Sequence, residues 1–253
     1  MTKPKGMDAG PADIPWIAFT DACIARVEPR TDAPVVRRLA KGDTVIGDYF
    51  VDPQTDEEWV LATIDGERAY VPRWNLCRIH PGNHVTENLP YGTEIVNRWW
   101  GLPIDYEPDD LEIVPKEYCD SDPKEYPLRA EALDALLALL DAARAEDLDI
   151  RVGSAYRSGI YQVGLYTRAI DRDGPSQRYS APPGHSEHQL GTCVDLLDAE
   201  EKFVLVDEFK TTPHSAWLES NASRFGFRRS YYPENVADTG YISEPWHWRY
   251  WGR

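Results

Sequence analysis

Between Ile14 and about His80 the apolar positions fall in short runs that alternate with polar ones. "VVRRLAKGDTVIGDYFV" alternates and breaks at Lys41-Gly42-Asp43. "EEWVLATI" alternates, Asp65-Gly66 supplies a hairpin turn, and "RAYVP" runs back. Short strands this close together predict a small all-β barrel over residues 14–80. The period then changes. In "PLRAEALDALLALLDAARAEDLDI", Leu133, Leu136, Leu137 and Leu140 recur at helical spacing and form one apolar stripe. "LDIRVGSAYRS" predicts a strand running into a turn, residues 160–170 a helix, and "GTCVDLLD" a strand. "SAWLESNASRFGF" predicts a short helix ended by Gly226. Helices and strands mix without regular βαβ alternation, so the second half is α+β. Residues 1–13, polar and small, predict a disordered tail, and residues 81–92, rich in Pro, Gly and Asn, a linker. Residues 93–253 then form the second domain, and no internal repeat is visible.

Composition narrows the function classes. The chain has 253 residues, 42% of them hydrophobic, enough for real cores, and no apolar run reaches the length of a membrane span. The net charge of −16 argues against a nucleic-acid partner, because phosphate binding needs clustered Lys and Arg. Four cysteines, Cys23, Cys77, Cys119 and Cys193, show no CxxC spacing, which disfavours a structural zinc cluster. Cys23 and Cys77, near the two ends of the first domain, either pair or stay as buried thiols. The start of the chain lacks the apolar core of a secretory signal, which leaves the expected compartment and the export route open.

The chemistry concentrates in "GHSEHQLGTCVD", residues 184–195. A metal site needs several lone-pair donors converging on one point, and zinc takes His nitrogen and carboxylate oxygen. His188 and Asp195 are two such donors, with Gly191 as a hinge between them. On the predicted strand, Asp195 shares a face with Cys193 and Leu197. A lone carboxylate there needs a cation, and a salt-bridged aspartate is the competing reading. His247 in "EPWHWRY" is the best third donor, against a satisfied histidine in an aromatic core. Glu244 stands three residues earlier and can reach the same point only if the chain bends, for which Pro245 is suited. There it can serve as general base to an activated water. Arg157, in a turn after a strand, is either an oxyanion or carboxylate clamp or a surface ion pair.

Two resemblances attach to these residues, the second the more specific. "ARVEPRTDAPVVRRLAKGDTV" and "EEWVLATIDGERAYVPRWNL" resemble a bacterial SH3-like (SH3b) domain, which implies a small barrel holding an enzyme near cell-wall peptides. Four blocks in order are similar to the VanY-type D-alanyl-D-alanine carboxypeptidases, a zinc peptidase group that includes D-Ala-D-Ala dipeptidases and L,D-carboxypeptidases. They are "VNRWWGLPIDYEPDDLEIVP", "SAYRSGIYQ", "PGHSEHQLGTCVD" and "GYISEPWHWRY". The strongest signals are Ser186, His188, Gly191 and Asp195 in an SxHxxGxxxD pattern, with Glu244 and His247 as ExxH.

The resemblance implies His188, Asp195 and His247 as ligands of Zn2+, Glu244 as general base, and Arg157 as the group steadying the scissile carbonyl oxygen. It implies Gln162 and Ser186 as substrate-binding positions and Tyr156 as a shaper of the pocket. His185 falls at a variable position and reads as a residue behind the ligands or facing solvent. The implied reaction is zinc-dependent release of C-terminal D-alanine from peptidoglycan stem peptides, by D,D- or L,D-carboxypeptidase action, in the cell envelope or outside the cell. The alternatives are an endopeptidase of the same group and a non-catalytic cell-wall binder. Oligomeric state is not readable.

Overall fold

The computed structural model describes residues 14–80, 83, 91–92, 94–200, 202 and 204–252. The expected tail and most of the expected linker lie outside the described residues. The N-terminal part is all β, as its alternation predicts. Its strands are β1 (Trp16–Ala18), β2 (Cys23–Arg26), β3 (Val35–Leu39), β4 (Thr44–Val45), β5 (Gly47–Val51), β6 (Glu58–Ile64), β7 (Glu67–Pro72) and β8 (Leu76–Cys77). The β6–β7 hairpin turns through Asp65 and Gly66, both with positive φ, the handedness that matches strand twist.

The strands form two antiparallel sheets, β3-β2-β7-β6-β5 and β4-β1-β8. Among the described residues the ladder does not close into the barrel expected. Alternation tells which residues face inward but not which strands pair, and β1, β4 and β8 are too short to carry a continuous ladder. The two sheets enclose Trp16, Val60, Val71 and Leu76, and Trp99 and Trp100 from beyond the expected linker complete this core. Cys23 and Cys77 are buried, unpaired thiols.

The remaining elements are β9 (Leu111–Ile113), β10 (Pro127–Arg129), α1 (Ala130–Arg144), β11 (Ile150–Ser154), α2 (Gly159–Asp173), β12 (Cys193–Asp198), α3 (Pro213–Asn221), β13 (Phe227–Arg229), α4 (Val236–Thr239) and β14 (His247–Tyr250). This is the mixed α/β architecture expected. A four-stranded sheet, β11-β12-β14-β13, is antiparallel throughout. Helix α1 is built of Ala and Leu, the best helix formers. It buries Leu133, Leu136, Leu139 and Leu140, while Leu137, expected in the stripe, is only half-buried. Val194, Leu196, Trp248 and Tyr250 of the sheet pack in the same core. One face of the sheet is therefore committed to α1, and the alternate residues of β12 and β14 point the other way.

Candidate metal centre and active site

Register explains why distant residues meet. Asp195 on β12 pairs directly with His247 on β14, and Cys193 with Arg249. Opposed residues of an antiparallel pair point to the same face, so these four side chains share the face away from α1. His188 arrives from the 3₁₀ turn Glu187–Leu190, capped by Ser186, whose Oγ accepts the His188 N–H at 3.3 Å. The turn ends at Gly191 with φ +69, where a Cβ would press at 3.0 Å on Arg129 and Leu111. Only glycine reverses the chain there without strain. Glu244 reaches the site as expected, through a turn. Its carbonyl accepts the His247 N–H at 3.2 Å, with Pro245 in the second position.

The ring nitrogens have assignable roles. His188 Nδ1 lies 2.6 Å from the Ala155 carbonyl. A carbonyl only accepts, so Nδ1 carries the proton and Nε2 presents a lone pair. His247 Nε2 donates to Glu187 Oε2 at 2.9 Å, which turns Nδ1 toward Asp195. His188 Nε2 and His247 Nδ1 each lie 3.2 Å from Asp195 Oδ1. The three residues form a fully buried group able to hold a metal ion. The spacing fits: a tetrahedral ion with bonds of about 2.05 Å separates its ligand atoms by about 3.3 Å. Lone pairs and a carboxylate facing one another at this distance repel unless a proton or a cation lies between them.

A second group, Glu187, Cys193 and His247, has a metal-compatible spacing as well. Its charge is already met, since Arg249 donates to Glu187 Oε1 at 2.8 Å. Its thiol is pushed by burial up to about 11, away from the thiolate a metal needs. The His188–Asp195–His247 triangle is the better cation site.

The electrostatics follow from burial and these contacts. Burial, then the Arg157 charge, lowers His188 to about 4, so its ring is neutral at neutral pH. Burial opposes the charged form of Asp195, but the positive charge of the adjoining histidines, His188 and then His247, when protonated, outweighs it and lowers the carboxyl below its ordinary range. Burial likewise opposes charge on Glu187, and Arg249 and His247 bring it down to about 2. Glu244 goes the other way, raised by burial to about 8. Its Oε2 sits 3.9 Å from His247 Nδ1. Arg157 lies 2.9 Å from Ser154 Oγ and 3.6 Å from Asp195 Oδ2 through Nη1.

A small cavity of about 30 Å³ is lined by Arg157, Ser186, His188, Glu244 and His247 together with Tyr231 and Tyr241. Arg157 also lines a groove of about 590 Å³ walled by Tyr156, Tyr161, Leu165 and Leu205. Thus His188, Asp195, His247, Glu244, Arg157 and Ser186 come together. Tyr156 belongs to the groove, and Gln162 lies behind Ala181, another residue of the cavity wall, donating to its carbonyl at 2.9 Å. His185 is fully buried, so the solvent-facing reading does not hold.

Sequence reasoning missed Glu187, Arg249 and the tyrosine walls. Arg249 had a signal, because it stands two residues after His247 and so on the same strand face. Glu187 had none, since a 3₁₀ turn offers no periodicity to read.

Comparison with known proteins identifies the family. Residues 125–253 match the family model described as VanY, D-alanyl-D-alanine carboxypeptidase. The putative carboxypeptidase YodJ of Bacillus subtilis (strain 168) is 37% identical over 164 residues, covering 63% of this chain and 59% of that protein. A D-alanyl-D-alanine carboxypeptidase of Enterococcus faecalis (strain ATCC 700802 / V583) is 36% identical over 128 residues, 45% of this chain and 44% of that protein. The chain therefore spans less than two thirds of the length of either relative. Among solved structures, the LdcB LD-carboxypeptidase superposes with a TM-score of 0.58 at 28% identity, covering 81% of this chain and 85% of that one. On the strength of the family match across its C-terminal half, the chain belongs to the VanY family of D-alanyl-D-alanine carboxypeptidases.

Proposed function

We propose that this chain is a zinc-dependent carboxypeptidase that releases C-terminal D-alanine from peptidoglycan stem peptides. The observation that carries this reading is the triangle of His188 Nε2, Asp195 Oδ1 and His247 Nδ1, with Glu244 and Arg157 on the same cavity. These three residues would hold the ion. When bound, zinc supplies Lewis acidity, polarising a carbonyl and making a water acidic near neutral pH.

The chain's own groups do the rest. Glu244, on the cavity wall with its Oε2 3.9 Å from His247 Nδ1, takes a proton from the attacking water and returns it to the departing amine. Arg157 stabilises the negative charge that develops on the carbonyl oxygen. Ser186 and the tyrosines close around the leaving residue. The rest of the peptide lies along the groove beside Tyr156 and Tyr161. Gln162 acts through the Ala181 wall. The N-terminal β module, read as SH3-like, helps hold the enzyme on the wall, and the working place is the cell envelope.

The test is mass analysis of purified, zinc-loaded protein incubated with stem pentapeptide and tetrapeptide. Loss of one alanine from the pentapeptide gives a D,D-carboxypeptidase, and from the tetrapeptide an L,D-carboxypeptidase. No cleavage of either refutes the proposal.

A further inference from the structure

One segment, residues 184–188, touches both halves of the molecule. Gly184 sits directly on β8. Its carbonyl accepts the Leu102 N–H at 2.8 Å, and a Cβ on it would lie 2.8 Å from Cys77 Sγ. The next side chain, His185, is fully buried between the N-terminal module and the second half. Its Nδ1 donates to the Asn97 carbonyl at 2.9 Å, which leaves Nε2 to accept the Arg78 N–H at 3.3 Å. Arg73, itself fully buried, stands 3.5 Å from the same nitrogen and stacks on Trp16, inside the first core. With both ring nitrogens paired, the imidazole is fixed in one tautomer and one orientation.

The other end of this contact is the reaction site. The His185 carbonyl accepts the Tyr241 hydroxyl at 3.0 Å, and Tyr241 walls the small cavity beside Glu244. Ser186 and His188 follow immediately in the chain. A second tie runs parallel. Glu58 of β6 takes the buried Arg98 through both oxygens, at 3.1 and 3.0 Å, and Arg178 at 3.0 Å. Modules joined only by a tether meet through small, exposed, polar contacts. Here the contact is a buried histidine, a buried ion pair and a shared tryptophan core.

We propose that the N-terminal β module is a positioning element of the metal centre: by gripping His185 it fixes the Ser186–His188 turn and the Tyr241 wall. The proposal rests on the metal site proposed above. Residues behind a ligand that fix its orientation commonly change metal affinity about tenfold or more when lost.

The test uses full-length protein loaded with Co(II), whose visible absorption reports coordination geometry. His185→Ala and Glu58→Gln are expected to shift that spectrum and weaken Co(II) binding about tenfold, with His185→Gln recovering part of the loss. Ile64→Ala, in the same module but at the hairpin end of β6, is expected to lower Tm and leave spectrum and affinity at wild-type values. A folded His185→Ala with wild-type spectrum and affinity overturns the proposal, as does an Ile64→Ala that moves both as far. If His185→Ala does not fold, Glu58→Gln decides on the same criteria. Wild-type protein that takes up no Co(II) overturns the metal site itself. Normal loading with unmoved variants overturns only the positioning role.

Discussion

Glu187 holds His247 from behind: its Oε2 lies 2.9 Å from Nε2, on the side of the ring opposite Asp195. Glu187 is held in turn by Arg249 at 2.8 Å, and Arg249 by Glu94 at 2.7 Å. All four are buried. The carboxylate fixes which nitrogen of His247 keeps its proton and raises the basicity of the other. Glu187→Gln keeps the shape and removes the charge. It also leaves Arg249 with one fewer buried counter-charge. Zinc affinity measured by competition with a chromophoric chelator is expected to fall about tenfold. Unchanged affinity would show that Glu187 serves only to neutralise Arg249.

Glu244 and Arg157 are expected to separate chemistry from metal binding. Neither lies within the triangle of ligand atoms, so Glu244→Gln and Arg157→Ala should each retain one zinc by elemental analysis. Glu244→Gln removes the proton acceptor and is expected to lower kcat by about 10²–10⁴. Arg157→Ala removes a donor to the developing oxyanion and is expected to cost about 10²–10³ in kcat. Wild-type-like turnover in Glu244→Gln would refute its assignment as the base.

Metal removal is expected to act on stability as well as on activity. An ion bound only by the folded state stabilises it by about 4 kcal/mol at a thousandfold excess over Kd. For a chain of this size that corresponds to about 10 °C in Tm. Chelation followed by calorimetry should show the drop, and zinc returned to the same free concentration should restore it. A Tm indifferent to zinc would mean that the triangle does not bind it.

How much of this was legible depends on the range of the interaction. His188 and Asp195 could be paired from the sequence because a glycine hinge and strand alternation act over a few residues. The bend before His247 was legible from Pro245. Which strands pair was not. Asp195 meets His247 through a register between positions 52 apart in the chain, and nothing in either strand encodes its partner. Glu187 was invisible for the same reason, since Arg249 and Glu94 lie far along the chain and the turn that carries it has no repeat. The buried face of the helix was wider than the expected stripe: Leu139 is buried as well, and Leu137 packs half-buried at the edge of the same core, a width that periodicity alone does not reveal. The burial of His185 depends on the contact between the two halves, which the first core reaches past the expected linker to make.

Acid should weaken that contact. Glu58 is 1% exposed, and burial alone would raise its carboxyl. The charges of Arg98 and Arg178 outweigh burial and bring it down to about 2, below its ordinary 4.5. A carboxyl depressed on folding binds fewer protons in the folded state. Its contribution is therefore complete above about pH 5 and is lost as pH falls through about 2. The shift corresponds to about 3 kcal/mol. Glu58→Gln removes this titration and leaves two arginines without their partner, so it should be destabilised at pH 7 by about 3–5 kcal/mol. The decisive quantity is the difference in unfolding free energy between wild type and Glu58→Gln, measured in urea from pH 7 to pH 2. It should stay flat down to about pH 5 and then narrow by about 3 kcal/mol. A difference independent of pH would mean that Glu58 titrates alike in the folded and unfolded chains, and that the buried pair with Arg98 does not hold the two halves together.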